Sequence, residues 1–139
     1  MNYKRPESVL ILVYTSQKDV LLLKRHNEKD MWQSITGSLL ENELPSEAAE
    51  RELFEETGIK KKPKNLNMFN TYEIYKMWLH KYENGVTHNK EHIFTLELSE
   101  KENICINPDE HDEYIWLPRV KAAEKVFSHT NREAIFNHI

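Results

Sequence analysis

Several features are scarce in this chain of 139 residues, and each scarcity excludes something. A single cysteine, Cys105, rules out an internal disulfide and a multi-cysteine zinc site. Flanked by Ile104 and Ile106, it reads as a small core residue. The longest clean apolar runs, Val9–Tyr14 and Val20–Leu23, fall far short of the roughly 20 residues a helix needs to cross a bilayer. Residues 1–8 show neither the long apolar stretch nor the small-residue cleavage site of a secretory leader. The expectation is therefore a cytoplasmic, reducing setting without a membrane partner. Positive charge is not in excess: 19 Lys+Arg stand against 23 Asp+Glu, a formal net charge of −4. Broad electrostatic binding of nucleic acid is not expected. A small phosphorylated substrate needs only a local cationic pocket.

What is present is a soluble, globular balance of 39% hydrophobic and 30% charged residues. The length fits one domain over residues 1–139, and a chain this long buries roughly two-thirds of its unfolded surface. No repeat, low-complexity tract or Pro/Gly/Ser linker divides it. The runs Val9–Tyr14 and Val20–Leu23 predict buried strands joined by a turn at residues 16–19, and Met31–Thr36 a further short strand. Gly37–Leu44 reads as a loop, followed by a helix capped by Ser46 and ending at Thr57, with Gly58 in the left-handed position beyond it. The segment Leu66–Lys81 is strand-like, Asn84-Gly85 signals a hairpin turn, and His92–Leu98 and Tyr114–Leu117 read as strands. Lys121–Phe127 and Asn131–Ile139 predict C-terminal helices. The pattern is an α/β or α+β domain with a mixed sheet.

The densest chemistry lies in Arg51-Glu52-Leu53-Phe54-Glu55-Glu56. Residues three and four apart share a helix face, so Glu52, Glu55 and Glu56 converge on one side. Three like charges repel unless something positive sits among them. Hard carboxylate oxygens suit Mg²⁺ or Mn²⁺, and Mg²⁺ takes a few carboxylates together with substrate phosphates. By itself such a face could equally be a solvated acidic surface.

Its surroundings read Gly37-x5-Glu43-x7-Arg51-Glu52-Leu53-x-Glu55-Glu56-x-Gly58-Ile59. This matches the loop–helix–loop box of the Nudix hydrolase family, and the chain resembles that family. The resemblance implies an α/β/α sandwich around a central mixed sheet, and metal-dependent hydrolysis of a phosphoric anhydride with Mg²⁺, or Mn²⁺, as cofactor. It implies Glu52 and Glu56 as metal ligands, Glu55 as a further ligand or the general base, and the Gly37 carbonyl as a ligand. Glu43 is expected to pair with Arg51 and so aim Glu52. Asn42 and Ser38 stand where many members have glycine, and Asn tolerates the positive φ that the loop requires. No Ser-His-Asp or Cys-His arrangement offers a covalent nucleophile.

Outside the box, Tyr3-Lys4-Arg5-Pro6, Trp32–Ser38, His80-x-Tyr82-x-x-Gly85-Val86-Thr87-x-Asn89, Glu110-His111-x-x-Tyr114-x-Trp116-Leu117 and Ser128-x-x-Asn131-Arg132 resemble the family's dihydroneopterin triphosphate diphosphatase branch. That likeness implies removal of pyrophosphate from 7,8-dihydroneopterin triphosphate, a step of folate synthesis. It places Lys4, Arg25, Thr36, the Tyr72-Glu73-Ile74-Tyr75 stretch, His111 and Ser128 at the substrate, and Glu110 among the metal ligands. Trp32, Trp78, Trp116, Tyr72 and Tyr75 are candidate stacking surfaces for a planar substrate. His26, His88, His92, His129 and His138 are expected at the surface. A nucleoside triphosphate or dinucleotide polyphosphate pyrophosphohydrolase, and a non-catalytic Nudix ligand sensor, stay open as alternatives. So does the oligomeric state, monomer or dimer.

Overall fold

The computed structural model of the protein describes residues 2–139. In chain order the elements are β1 (Glu7–Thr15), β2 (Asp19–Arg25), β3 (Trp32–Gln33), β4 (Ile35–Ser38), α1 (Pro45–Thr57), β5 (Lys64–Glu73), a 3₁₀ helix (Lys76–Lys81), β6 (His88–Leu98), β7 (His111–Pro118), α2 (Arg119–Lys125) and α3 (His129–His138). One mixed sheet runs β3-β2-β1-β6-β5, with β4 paired to β1 and β7 to β2. β1 lies at its centre, parallel to β6 (Val9 opposite His92) and antiparallel to β4 (Leu10 opposite Thr36).

The two aliphatic runs are buried on both faces, which is why they lack polar alternation. Side chains alternate across a strand, so Val9, Ile11 and Val13 of β1 join Leu21 and Leu23 of β2 in one core, closed by Ala48, Ala49 and Leu53 of α1. Leu10 and Leu12, with Val20 and Leu22, form the opposite core against Ala122 and Ala123 of α2 and Ala134 and Ile135 of α3. The result is the α/β/α sandwich, with α1 on one face and α2 and α3 on the other.

Local expectations fail at identifiable points. The strand expected over Met31–Thr36 is split, because Ser34 separates a segment paired to β2 from one paired to β1. Ser46 is not the cap of α1: Leu44 holds that position, Pro45 opens the first turn, and Glu47 reaches back to accept the Leu44 N–H at 2.9 Å. Gly58 does end α1 with φ 79°, and Asn42 takes φ 63° in the loop before it. The segment expected as one strand to Lys81 bends after Glu73 into the 3₁₀ helix. β5 and β6 pair antiparallel, but residues 74–87 connect them, and the turn at Asn84-Gly85 (Gly85 φ 97°) closes only the last part of that connection. The bend brings aromatic rings together: Trp78 stands edge-on to Tyr75 at 5.3 Å and to Phe127 at 5.9 Å between centroids. Cys105 is exposed, not a core residue. In the extended loop after β6 the chain alternates, so buried Ile104 and partly buried Ile106 turn inward and the residue between them turns out.

Candidate active site

The box folds as a brace. Arg51 donates from Nε and Nη2 to the two oxygens of Glu43, each at 2.8 Å, and from Nη1 to Glu52 Oε1 at 2.7 Å and Glu55 Oε2 at 3.3 Å. Nη2 also reaches the Ser38 carbonyl at 3.1 Å, which ties the helix to β4. These hydrogen bonds hold Glu43 below the usual carboxylate range and Arg51 above its usual guanidinium value. A second arginine secures the loop from outside: Arg5 donates to the carbonyls of Leu40 and Glu43, both at 3.1 Å, and pairs with Glu7 at 2.8 Å. Glu7 in turn meets His92 Nε2 at 2.6 Å, so His92 is a half-buried partner rather than the free surface group expected.

The three glutamates of α1 are not equivalent. Glu56 is 1% exposed, Glu52 is buried, and Glu55 is open to solvent. Desolvation raises the Glu56 carboxyl well above its ordinary value, and Glu52, Glu110 and Glu55 raise it further. Its Oε1 has no hydrogen-bond partner. His111 Nε2 lies 3.7 Å away, but burial and Arg25 push that imidazole down to about 4, so it is neutral near pH 7 and does not neutralise Glu56. Glu110 is raised by burial and by Glu52 and Glu55, which puts its charge in the same field although it lies 54 positions beyond Glu56. A Cβ on Gly37 would fall on the Glu52 carboxyl group, so β4 passes Glu52 closely only because residue 37 has no side chain. Among the described residues no three His, Cys, Asp or Glu side chains already stand as a finished metal cage. The donor set nevertheless fits a hard divalent cation: clustered carboxylates, one buried oxygen without a partner, and mutual repulsion that a cation would relieve.

Glu52 and Glu56 open into a cleft of about 1200 Å³ that runs past β4 toward α3. Lys4, Arg25, Thr36 and Gly37 line it, as do Tyr72, Tyr75, Glu110, His111 and Ser128. Glu73 and Ile74 do not: Glu73 faces solvent at the end of β5 and Ile74 is buried, because the chain bends between them and Tyr75. Of the candidate stacking residues, Trp78, Tyr72 and Tyr75 line the cleft. Trp32 instead packs in the α2/α3 core, and Trp116 against the α1 core. Thr36 donates its hydroxyl to the Val9 carbonyl at 2.9 Å, so it faces the cleft with that proton engaged.

Sequence reasoning missed other wall residues. Lys81 lines the cleft, and its ammonium is lowered first by burial and then by Lys4 and Arg25, the signature of three cations crowding one corner. Arg25 lies 4.5 Å from the Trp78 ring centroid. Phe127, Gln33, Asn89, Glu91 and Asn131 complete the wall. The available signal was polar residues at period two on β6, Asn89 and Glu91, on the side that Ile93 buries.

The NUDIX domain family matches residues 4–137, and the chain belongs to that family. Nudix hydrolases generally use divalent metal ions. Among curated relatives, the dihydroneopterin triphosphate diphosphatase of Haemophilus influenzae is 37% identical over 100% of this chain and 90% of its own length. The Escherichia coli protein of that name is 39% identical over 96% and 91%. The structure of the E. coli dihydroneopterin triphosphate pyrophosphohydrolase superposes with a TM-score of 0.93 at 36% identity, over 100% of this chain and 98% of that one. A MutT protein from Methanosarcina mazei shares the fold, with a TM-score of 0.74 at 20% identity over 99% and 94%.

Proposed function

We propose that this protein hydrolyses 7,8-dihydroneopterin triphosphate to dihydroneopterin monophosphate and pyrophosphate, with Mg²⁺, in the cytoplasm, as a step of folate synthesis. The carrying observation is the likeness to the E. coli dihydroneopterin triphosphate pyrophosphohydrolase over the whole chain. The cleft has the matching chemistry: carboxylates, with Lys4 and Arg25 in the field of Glu110, and aromatic rings, with Arg25 set against Trp78.

In this reading Glu52, Glu56 and Glu110, with the Gly37 carbonyl, hold the metal. When bound, the metal offsets phosphate charge and makes a water more acidic. Arg51 and Glu43 do not touch substrate; they aim Glu52. Lys4, Arg25 and Lys81 meet the triphosphate, Arg25 as a planar fork backed by Trp78. Glu55 is exposed and its contact to Arg51 is the longest of that set, which leaves it free to take a proton from the attacking water or to serve as a further ligand. Water adds to phosphorus, the anhydride bond breaks, and pyrophosphate leaves as one unit. Tyr72, Tyr75, Thr36, His111 and Ser128 lie against the rest of the substrate.

The test is a steady-state comparison of dihydroneopterin triphosphate with the common nucleoside triphosphates in Mg²⁺. The expected outcome is the highest kcat/KM for the pterin, with pyrophosphate appearing before any inorganic phosphate. A preference of about tenfold or more for a nucleoside triphosphate overturns the substrate and leaves the hydrolase chemistry standing.

A further inference from the structure

The β6 wall of the cleft carries an unexplained cost. Glu91 is 5% exposed, its Oε1 has no hydrogen-bond partner, and the Thr130 hydroxyl lies near enough to the carboxyl group to lower its pKa against the effect of burial. A carboxylate left that way is strongly unfavourable, and an aliphatic residue such as neighbouring Ile93 would suit the fold better. Two positions back on the same strand face, Asn89 repeats the pattern. Its amide nitrogen donates to Ser8 Oγ at 2.8 Å and to the Tyr72 hydroxyl at 3.2 Å, while its Oδ1 has no partner. Strand geometry sets the two residues roughly 7 Å apart on one face. The nearby Asn131 is not available in the same way, because both ends of its amide are engaged with Ser34 at 2.9 and 3.0 Å. The β6 wall thus offers hydrogen-bond acceptors without donors, and Tyr75, Trp78 and Phe127 give the cleft an aromatic side. The complementary ligand is flat and carries adjacent N–H donors on one edge.

We propose that Glu91 is the specificity residue for the heterocycle, its two carboxylate oxygens accepting the ring N–H and the exocyclic amino group of a 2-amino-4-oxopteridine, with Asn89 Oδ1 accepting beside it. This rests on the pterin reading above. Adenine lacks that edge, since it places an acceptor next to its amino group, and it would leave one Glu91 oxygen facing a lone pair. Thr130 orients Glu91 and is a positioning residue.

The test compares wild type with Glu91→Gln, a near-isosteric change that replaces one acceptor oxygen by a donor. Binding of unphosphorylated 7,8-dihydroneopterin is measured directly by calorimetry, and KM and kcat are measured for dihydroneopterin triphosphate and for ATP. The variant should bind dihydroneopterin about tenfold or more weakly and raise KM for the pterin triphosphate to match, while its kcat stays within about threefold and its KM for ATP falls or stays level, because the amide now offers adenine a donor. It should melt no lower than wild type, because an unpaired buried acid has gone; a purely structural Glu91 would give a lower melting temperature. If Glu91→Gln does not fold, Thr130→Val must show the same split between pterin and ATP. Unchanged dihydroneopterin affinity in a folded Glu91→Gln protein, or equal losses on pterin and ATP, overturns the assignment. Wild type that binds dihydroneopterin through Glu91 but does not cleave its triphosphate sinks the functional reading alone, and wild type that does not bind dihydroneopterin sinks both.

Discussion

Arg51 and Glu43 meet fork to fork, two parallel hydrogen bonds of 2.8 Å across eight residues of chain, and the remaining guanidinium nitrogen of Arg51 points at Glu52. The pair is mostly buried, with side-chain exposures of 23% and 12%. It couples the shape of the loop to the aim of a carboxylate. Lysine cannot reproduce the planar fork. Arg51→Lys and Glu43→Gln should each lower kcat by about 10- to 100-fold, the usual cost of losing a group that orients a metal ligand. Circular dichroism should stay native. Loss confined to KM for the substrate would show that the brace does not act through Glu52.

Glu52→Gln and Glu56→Gln should each reduce kcat by at least about two orders of magnitude, on the order of 3 kcal/mol of transition-state stabilisation. The two should separate in metal-free melting. Glu56 is the deeper group, and burial and Glu52 disfavour its charged form, so Glu56→Gln should melt higher than wild type once metal is chelated. Near-normal turnover of either variant at saturating Mg²⁺ would remove that residue from the site.

The acidic segment 109–113 holds one residue in the field of Glu52 and one outside it. Glu110 lines the cleft and is raised by burial, Glu52 and Glu55. Glu113 is exposed on β7 opposite Lys24. Glu110→Gln should lower activity and raise the Mg²⁺ concentration needed for half-maximal rate, whereas Glu113→Gln should leave both unchanged. Equal effects would make the segment a solvated acidic patch.

Stability should depend on pH in part through Glu91, in the same direction as through the raised carboxyls of Glu56 and Glu110. Burial raises its carboxyl from 4.5 to about 7 in the folded state. Between those values the native protein holds a proton that the unfolded chain has released, so stability falls as pH rises through that window. The contribution is on the order of 3 kcal/mol across it. Chemical denaturation of metal-free protein at pH 5 and pH 7.5 should show this loss, and Glu91→Gln should flatten the slope. The same slope in wild type and variant would assign the effect to other carboxylates.

Local chain chemistry determined a large part of this protein. The two aliphatic runs fold as strands because each buries both faces, and Gly58 ends α1 because the chain there takes a left-handed conformation. The box was legible for the same kind of reason: Glu43, Arg51, Glu52, Glu55 and Glu56 act through one loop and one helix, where spacing alone dictates who meets whom. Tertiary structure decided what spacing could not. It made Glu56 the buried glutamate and Glu55 the exposed one, brought Glu110 into the same field, and crowded Lys81 against Lys4 and Arg25. It took Trp32 and Trp116 into the cores and left Trp78 at the cleft, and it turned Cys105 outward where flanking isoleucines suggested burial. It also buried Glu91 beside Thr130 of α3 with one oxygen left without a partner. Each of these depends on desolvation and on contacts between elements far apart in the chain, and no local pattern encodes which face of a strand will line a cleft and which will line a core.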